Sequence, residues 1–117
     1  MLSPMASVLS VDDLPRGKVS ARFEGADHGA SVSFFLTEGP PGSGPAPHHH
    51  PYEEIFVIEE GESTFTVDGE QIVAGAGQIV IVPAGAVHSF VNSGDGVLRQ
   101  LSIHPRERME QVWVEEP

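Results

Sequence analysis

Cysteine is absent from the 117 residues. That excludes a disulfide framework, thiolate metal sites and a cysteine nucleophile. Cations are scarce: six Lys and Arg stand against seventeen Asp and Glu, a formal charge of −11. So acidic a surface repels phosphate backbones and anionic lipid, so neither nucleic acid nor a membrane is expected as a partner. No apolar run approaches the roughly 20 residues that a membrane-spanning helix needs. The opening stretch MLSPMASVLSVDD has no basic start and no long apolar segment. No secretory signal is expected from it, and the cytoplasm is the default location. The acids are dispersed from Glu53 to Glu62 and again at Glu107, Glu110, Glu115 and Glu116. They read as solvated surface charge.

Glycine and proline are plentiful, thirteen and ten, and they fall at intervals. Between them lie short alternating runs: SVSFFLT (31–37), EIFVIE (54–59), STFTV (63–67), EQIV (70–73), QIVIV (78–82), AVHSFVN (86–92) and VLRQLSIH (97–104). Asp68-Gly69 separates two of them, a hairpin signal because a tight turn of the right hand needs positive φ. Short strands at this spacing predict an all-β sandwich or barrel, one domain over residues 1–117. Only 106–114, with Met109, Val112, Trp113 and Val114 as its apolar points, is left for a short helix or a final edge strand. No repeat of 20 to 50 residues is visible, which excludes propellers and solenoids.

Half of the six histidines stand in PHHHPYEE, residues 47–54. On an extended chain His48 and His50 share a face and His49 points away. Glu54, four beyond His50, returns to that face. Pro51 and Tyr52 bend the segment, so spacing alone leaves Glu53 beside Glu54. His88, in PAGAVH (83–88), begins another turn-bounded strand and is the remaining histidine placed to join them. Two or three imidazoles and a carboxylate are the usual donors for a divalent first-row metal. With four protein ligands an octahedral ion keeps two open positions, which is the pattern of catalytic rather than structural sites.

The spacing Gly42, five residues, His48, one, His50, three, Glu54, six, Gly61 is followed by Gly77, five, Pro83, one, Gly85, two, His88, three, Asn92. These stretches, 42–61 and 77–92, resemble the two motifs of the cupin superfamily with every position present, only 62–76 lying between them. The end of the last run, IHPRERM (103–109), is similar to the tail of small single-domain bacterial cupins. The resemblance implies a double-stranded β-helix, or jelly-roll barrel, with one divalent ion (Fe, Mn, Ni or Zn) in its wider end. It implies His48, His50, Glu54 and His88 as the ligands. Gly61, Gly77 and Gly85 fall where strands turn and positive φ is cheapest, and Asn92 is expected to pin a turn.

Parity extends the reading. If Glu54 faces inward so do Phe56 and Ile58, and if His88 does so does Phe90. Gln100 stands with Leu98, Ser102 and His104 on one face of the last strand. These are expected as pocket or barrel core. Tyr52 and His104 are the candidates for acid or base, Tyr52 otherwise capping the barrel and His104 otherwise ending a strand. His28 reads as a loop histidine. The function expected is that of a small-molecule enzyme, first a metal-dependent dioxygenase, with a non-redox isomerase, cyclase or lyase second and a metal-anchored ligand-binding module third. A homodimer is expected, with 5–11 and the region of Trp113 as interface pieces.

Overall fold

Residues 5–114 are described by the computed structural model; Glu115 and Glu116, and the first four residues of the opening stretch, lie outside them. Two five-stranded antiparallel sheets face one another. The first contains β1 (Ser20–Phe23), β2 (Ser33–Gly39), β9 (Leu98–His104), β4 (Glu54–Glu60) and β7 (Ile79–Val82), in that order. The second contains β10 (Val112–Trp113), β3 (His48–His49), β8 (His88–Asn92), β5 (Glu62–Val67) and β6 (Glu70–Gly75). After β2 the chain alternates between the sheets, with the β5–β6 hairpin as the exception. This is the double-stranded β-helix expected from the sequence. Among the described residues there is no α-helix, and none long and apolar enough to cross a membrane. The 106–114 segment resolves as an edge strand: Trp113 pairs opposite His48 and Val112 opposite His49.

Alternation decides what each strand buries. On β4, Glu54, Phe56 and Ile58 are buried, and on β9 so are Leu98, Gln100, Ser102 and His104. Phe56, Ile58, Phe65, Val80, Val82 and Leu98 form one apolar cluster between the sheets. Phe56 and Phe65 meet edge to face, centroids 4.9 Å apart, an arrangement favoured by the ring quadrupoles. Burying each such side chain contributes about 1.5–3 kcal/mol. This filled end is the rigid floor beneath the histidines.

The opposite residues face outward, and on the first sheet they are apolar across its width. Ile81, Ile55, Ile103, Phe34 and Phe23 are successive cross-strand partners over all five strands. Ile79, Val57, Leu101 and Leu36 form a second such row. Ile79 and Ile81 are 63% and 66% exposed.

The Asp68-Gly69 turn has positive φ at both residues, 47° and 86°, as its hairpin requires. Gly61, Gly77 and Gly85 also have positive φ. At Gly61 there is a second constraint: a Cβ would lie 2.5 Å from the Val97 carbonyl oxygen, whereas at Gly77 it would meet nothing within 4 Å. Gly61→Ala therefore adds a backbone clash to the conformational strain of about 1–3 kcal/mol that both substitutions share. In urea unfolding, Gly61→Ala is expected to lower stability clearly more than Gly77→Ala. Equal losses would show that the approach of Val97 does not constrain the turn.

Candidate metal centre

Register brings the distant histidine to the others. His48 on β3 pairs directly opposite His88 on β8, and their rings lie 4.4 Å apart. His50 follows β3 and is tied to the turn ahead of β8, where Gly85 N–H donates to its carbonyl at 2.9 Å. Glu54 opens β4 from the facing sheet. One donor atom from each of His48, His50, Glu54 and His88 lies within 4.8 Å of the others, and all four residues are buried. Glu53 is exposed and His49 lies outside the group, half-buried. His28 stacks on Phe23 in an exposed loop, 4.8 Å between centroids.

The partners of the rings assign their protons. Nδ1 of His48 lies 2.9 Å from the Ala46 carbonyl, Nδ1 of His50 2.7 Å from that of Tyr52, and Nδ1 of His88 2.9 Å from that of Ala86. A carbonyl only accepts, so each Nδ1 carries the hydrogen and each neutral ring turns the Nε2 lone pair inward. Glu54 Oε1 sits 2.8 Å from His50 Nε2 and 3.0 Å from His88 Nε2. Four electron-pair donors thus converge among buried side chains, and they need a cation or added protons among them. The residues fit a divalent metal ion, and the carbonyl bonds orient the rings as metal-bound histidines are oriented elsewhere.

Charge at the centre follows from this crowding. Burial alone would push the Glu54 carboxyl up, but the imidazoles of His104, His50 and His88 outweigh it and hold the group well below the ordinary carboxylate range. Burial lowers His48, reinforced by the neighbouring His88. Burial also opposes charge on His88, but the Glu54 carboxylate prevails and raises it.

Behind Glu54 a second set of contacts runs the other way. Glu110 N–H donates to the Tyr52 hydroxyl at 3.0 Å, and that hydroxyl lies 2.6 Å from His104 Nδ1. The hydroxyl also lies 3.4 Å from the Glu110 carbonyl; where it donates to Nδ1 instead, the neutral His104 carries its hydrogen on Nε2, which lies 3.2 Å from Glu54 Oε2. The contact is not a formed hydrogen bond, and His104 Nε2 has no other partner. Tyr52 is clamped in place, stacked on His50 at 4.4 Å with the Arg106 guanidinium 5.2 Å above its ring. Burial raises the Tyr52 phenol.

A cavity of about 540 Å³ opens onto His48 and Glu54. Phe56 and Phe90 are on its wall, together with Phe35 and Ser102. Tyr52 and His104, expected as acid or base, are not on that wall. Ile58 and Gln100, expected as pocket or core, are not there either. Ile58 belongs to the apolar cluster, and Gln100 borders a separate cavity of about 210 Å³. Parity places a side chain inside the barrel but not at a depth, and at about 3.3 Å per residue Ile58 lies some 13 Å along the strand from Glu54. Trp113, expected at an interface, is 5.1 Å from the His48 ring and borders the cavity. The wall contributed by 15–22 carries no motif; only the pairing of Arg22 with inward-facing Phe35 reveals it. Asn92 pins a turn, its amide donating to the Gly39 and Gly96 carbonyls at 3.1 and 2.8 Å.

Comparison with known proteins agrees with this geometry. Quercetin 2,3-dioxygenase of Bacillus subtilis is 40% identical over 55 residues, 46% of this chain and 16% of that protein. Protein SchB of Streptomyces halstedii is 30% identical over 128 residues, covering 99% and 92% of the two chains. Among solved structures, oxalate decarboxylase of Bacillus subtilis, studied for its Mn(II) centres, superposes with a TM-score of 0.76 at 22% identity over 88% of this chain and 30% of that one. The chain spans less than two thirds of the length of most curated relatives it matches. The cupin domain model matches residues 35–104, a span that holds both motifs and all four converging residues, and the chain belongs to the cupin family.

Proposed function

We propose that the protein is a metal-dependent dioxygenase of a small organic molecule, with His48, His50, Glu54 and His88 as the ligands. A divalent ion held by these residues would supply Lewis-acid and redox chemistry for a reaction of the substrate with dioxygen. The observation that carries the reading is the make-up of the wall. Among the described residues it holds no histidine, aspartate or glutamate apart from His48 and Glu54, and its one lysine, Lys18, lies on the turn beside β1, three strands from β4. A reaction driven by a protein acid or base needs such a group within hydrogen-bond reach of its substrate; oxygenation templated on the ion does not. Phe35, Phe56 and Phe90 give the reacting molecule an apolar bed. The matched segment of quercetin 2,3-dioxygenase supports the same reading.

Tyr52 and His104 then act as positioning residues. Their contacts set the Nε2 hydrogen of His104 against Glu54 Oε2 and leave Oε1 to the metal side. Such outer partners typically contribute 10- to 100-fold in metal affinity or activity.

The partner of this chain, in the same proposal, is a second copy. The two apolar rows on the outer face of the first sheet form a surface that a two-fold axis can match to itself. The extended 5–11 segment leaves Met5 and Val8 more than nine-tenths exposed and adds to what that association can cover.

Metal-free protein titrated with Mn(II), Ni(II) or Zn(II) is expected to bind one ion per chain. Its unfolding free energy is expected to rise by about 4 kcal/mol at 1,000 times the dissociation constant. His88→Ala should abolish that rise; no retained metal in the parent protein would remove the metal centre. Iron-, manganese- or nickel-loaded protein should consume oxygen with some member of a panel of enolic, phenolic and thiol compounds, and a blank panel sinks the dioxygenase. Tyr52→Phe should lose no more than about 100-fold in rate, part of it recovered at high metal concentration. Turnover without oxygen, abolished in Tyr52→Phe at full metal occupancy, would instead assign an isomerase, cyclase or lyase. A ligand bound and never turned over would leave a binding module. Light scattering should report a dimer for the parent and a monomer for Ile81→Lys; a monomeric parent overturns the association.

A further inference from the structure

The chain has six Lys and Arg, and three of them, Arg16, Lys18 and Arg22, line the cavity that opens onto His48 and Glu54. Among the described residues Glu54 is the only acid that does so. A protein this acidic has gathered half of its cations around the opening to its site, with no free carboxylate beside them among the described residues. Among the described residues Arg16 and Lys18 make no ion pair, and Arg22 has only a long, half-exposed contact with Glu24 at 3.7 Å. Their charge is available to something else.

Their place in the fold is fixed by register. Phe56, Ser102, Phe35 and Arg22 are successive partners across β4, β9, β2 and β1, on the inward face. Beside Arg22, Ser20 turns inward with its hydroxyl 3.0 Å from that of Thr37. Arg16 and Lys18 sit on the turn that folds back along β1, where Gly17 N–H donates to the Ser20 carbonyl and Arg22 N–H to that of Pro15. Three strand spacings of about 4.8 Å separate β1 from β4. The cations and the metal ligands therefore hold opposite ends of the cavity, with Phe35 and Phe56 between them. One anionic group cannot satisfy both ends.

From this we infer that the substrate is an organic acid with three parts: a metal-chelating oxygen pair at one end, an aromatic or similarly flat apolar middle, and a carboxylate at the other end held by Arg22 and Arg16 with Lys18 beside them. The inference rests on the metal-centred reading above and adds the substrate class to it. Guanidinium groups suit a carboxylate because their paired N–H donors match its two oxygens. The cations select acids over neutral analogues, and the metal selects chelators.

The test uses Zn(II)-loaded protein under nitrogen, so that oxygen chemistry plays no part. Calorimetry compares 3-(3,4-dihydroxyphenyl)propanoate with its amide, two catechols alike except for the charge at the far end. The acid is expected to bind about tenfold or more tightly than the amide, with the advantage shrinking as salt is raised. In an Arg16→Gln/Arg22→Gln double variant the advantage should fall to near unity, while amide affinity and zinc content stay as in the parent. Both side chains are exposed, so the fold is not at stake. Equal affinities in the parent, failure of the acid to bind, or an advantage that survives in the double variant overturns the anion site. Zinc content, read by elemental analysis, reports on the metal centre separately: protein that holds zinc and takes acid and amide alike refutes the anion site alone.

Discussion

Three imidazole lone pairs and one carboxylate are held together among buried side chains, and much of the barrel serves to keep them there. Left to themselves these groups repel or take up protons. The rings stay aimed because each Nδ1 is bound to a main-chain carbonyl two residues away, Ala46, Tyr52 or Ala86. Those carbonyls are fixed in turn by loops that cannot slide: the Pro83–Gly85 turn is bonded to His50, and Gly42 N–H to the Asn92 carbonyl. A one-residue slip of β8 against β3 would send His88 to the outer face. The apolar cluster around Phe56 and Phe65 resists such a slip because its members alternate with the same period as the ligands. The core and the centre are two stretches of one inward face.

How far this was legible in the sequence differs from residue to residue. His48 and His50 are readable from parity alone, since two residues apart on an extended chain share a face. Glu54 needed the motif, because Pro51 and Tyr52 interrupt the strand and the spacing alone left Glu53 open. His88 lies 34 residues from Glu54, and nothing local says which strand it will pair with; the resemblance supplied it. Inwardness was readable for Phe56, Ile58, Phe90, Gln100 and His104, but depth along the barrel was not. Depth separates Phe56 on the cavity wall from Ile58 in the filled end. The contact of Tyr52 with His104 spans 52 residues and depends on how the last strand registers, which no local pattern carries.

The two tautomers in the site divide its labour. Nε2 of the three converging histidines accepts, whereas in the proposed arrangement the Tyr52 hydroxyl donates to His104 Nδ1 and the hydrogen of that ring is on Nε2. Without Tyr52, that ring would be free to present a lone pair to Glu54 Oε2, and two acceptors 3.2 Å apart would repel. In that proposal the phenol acts on the carboxylate at one remove, by choosing which nitrogen of His104 is protonated. That explains why a buried tyrosine off the cavity wall still bears on the ligand set.

Charge completes the picture at a different range. At physiological ionic strength, fields from exposed acids fade over about 8 Å, so the net charge of −11 sets the behaviour of the molecule at a distance but not inside the cavity. There the nearest charges decide, and on the wall these are Arg16, Lys18 and Arg22 against the single carboxylate of Glu54. With a divalent ion neutralising Glu54, as proposed, the remaining charges that the described residues place on that wall would all be positive. A neutral guest would leave three cations unanswered at the edge of an apolar bed, whereas an organic acid answers them and places its uncharged middle on Phe35 and Phe56. The same acid meets repulsion from the rest of the surface, so the arrangement favours a ligand bound by close contact over one drawn in by long-range attraction.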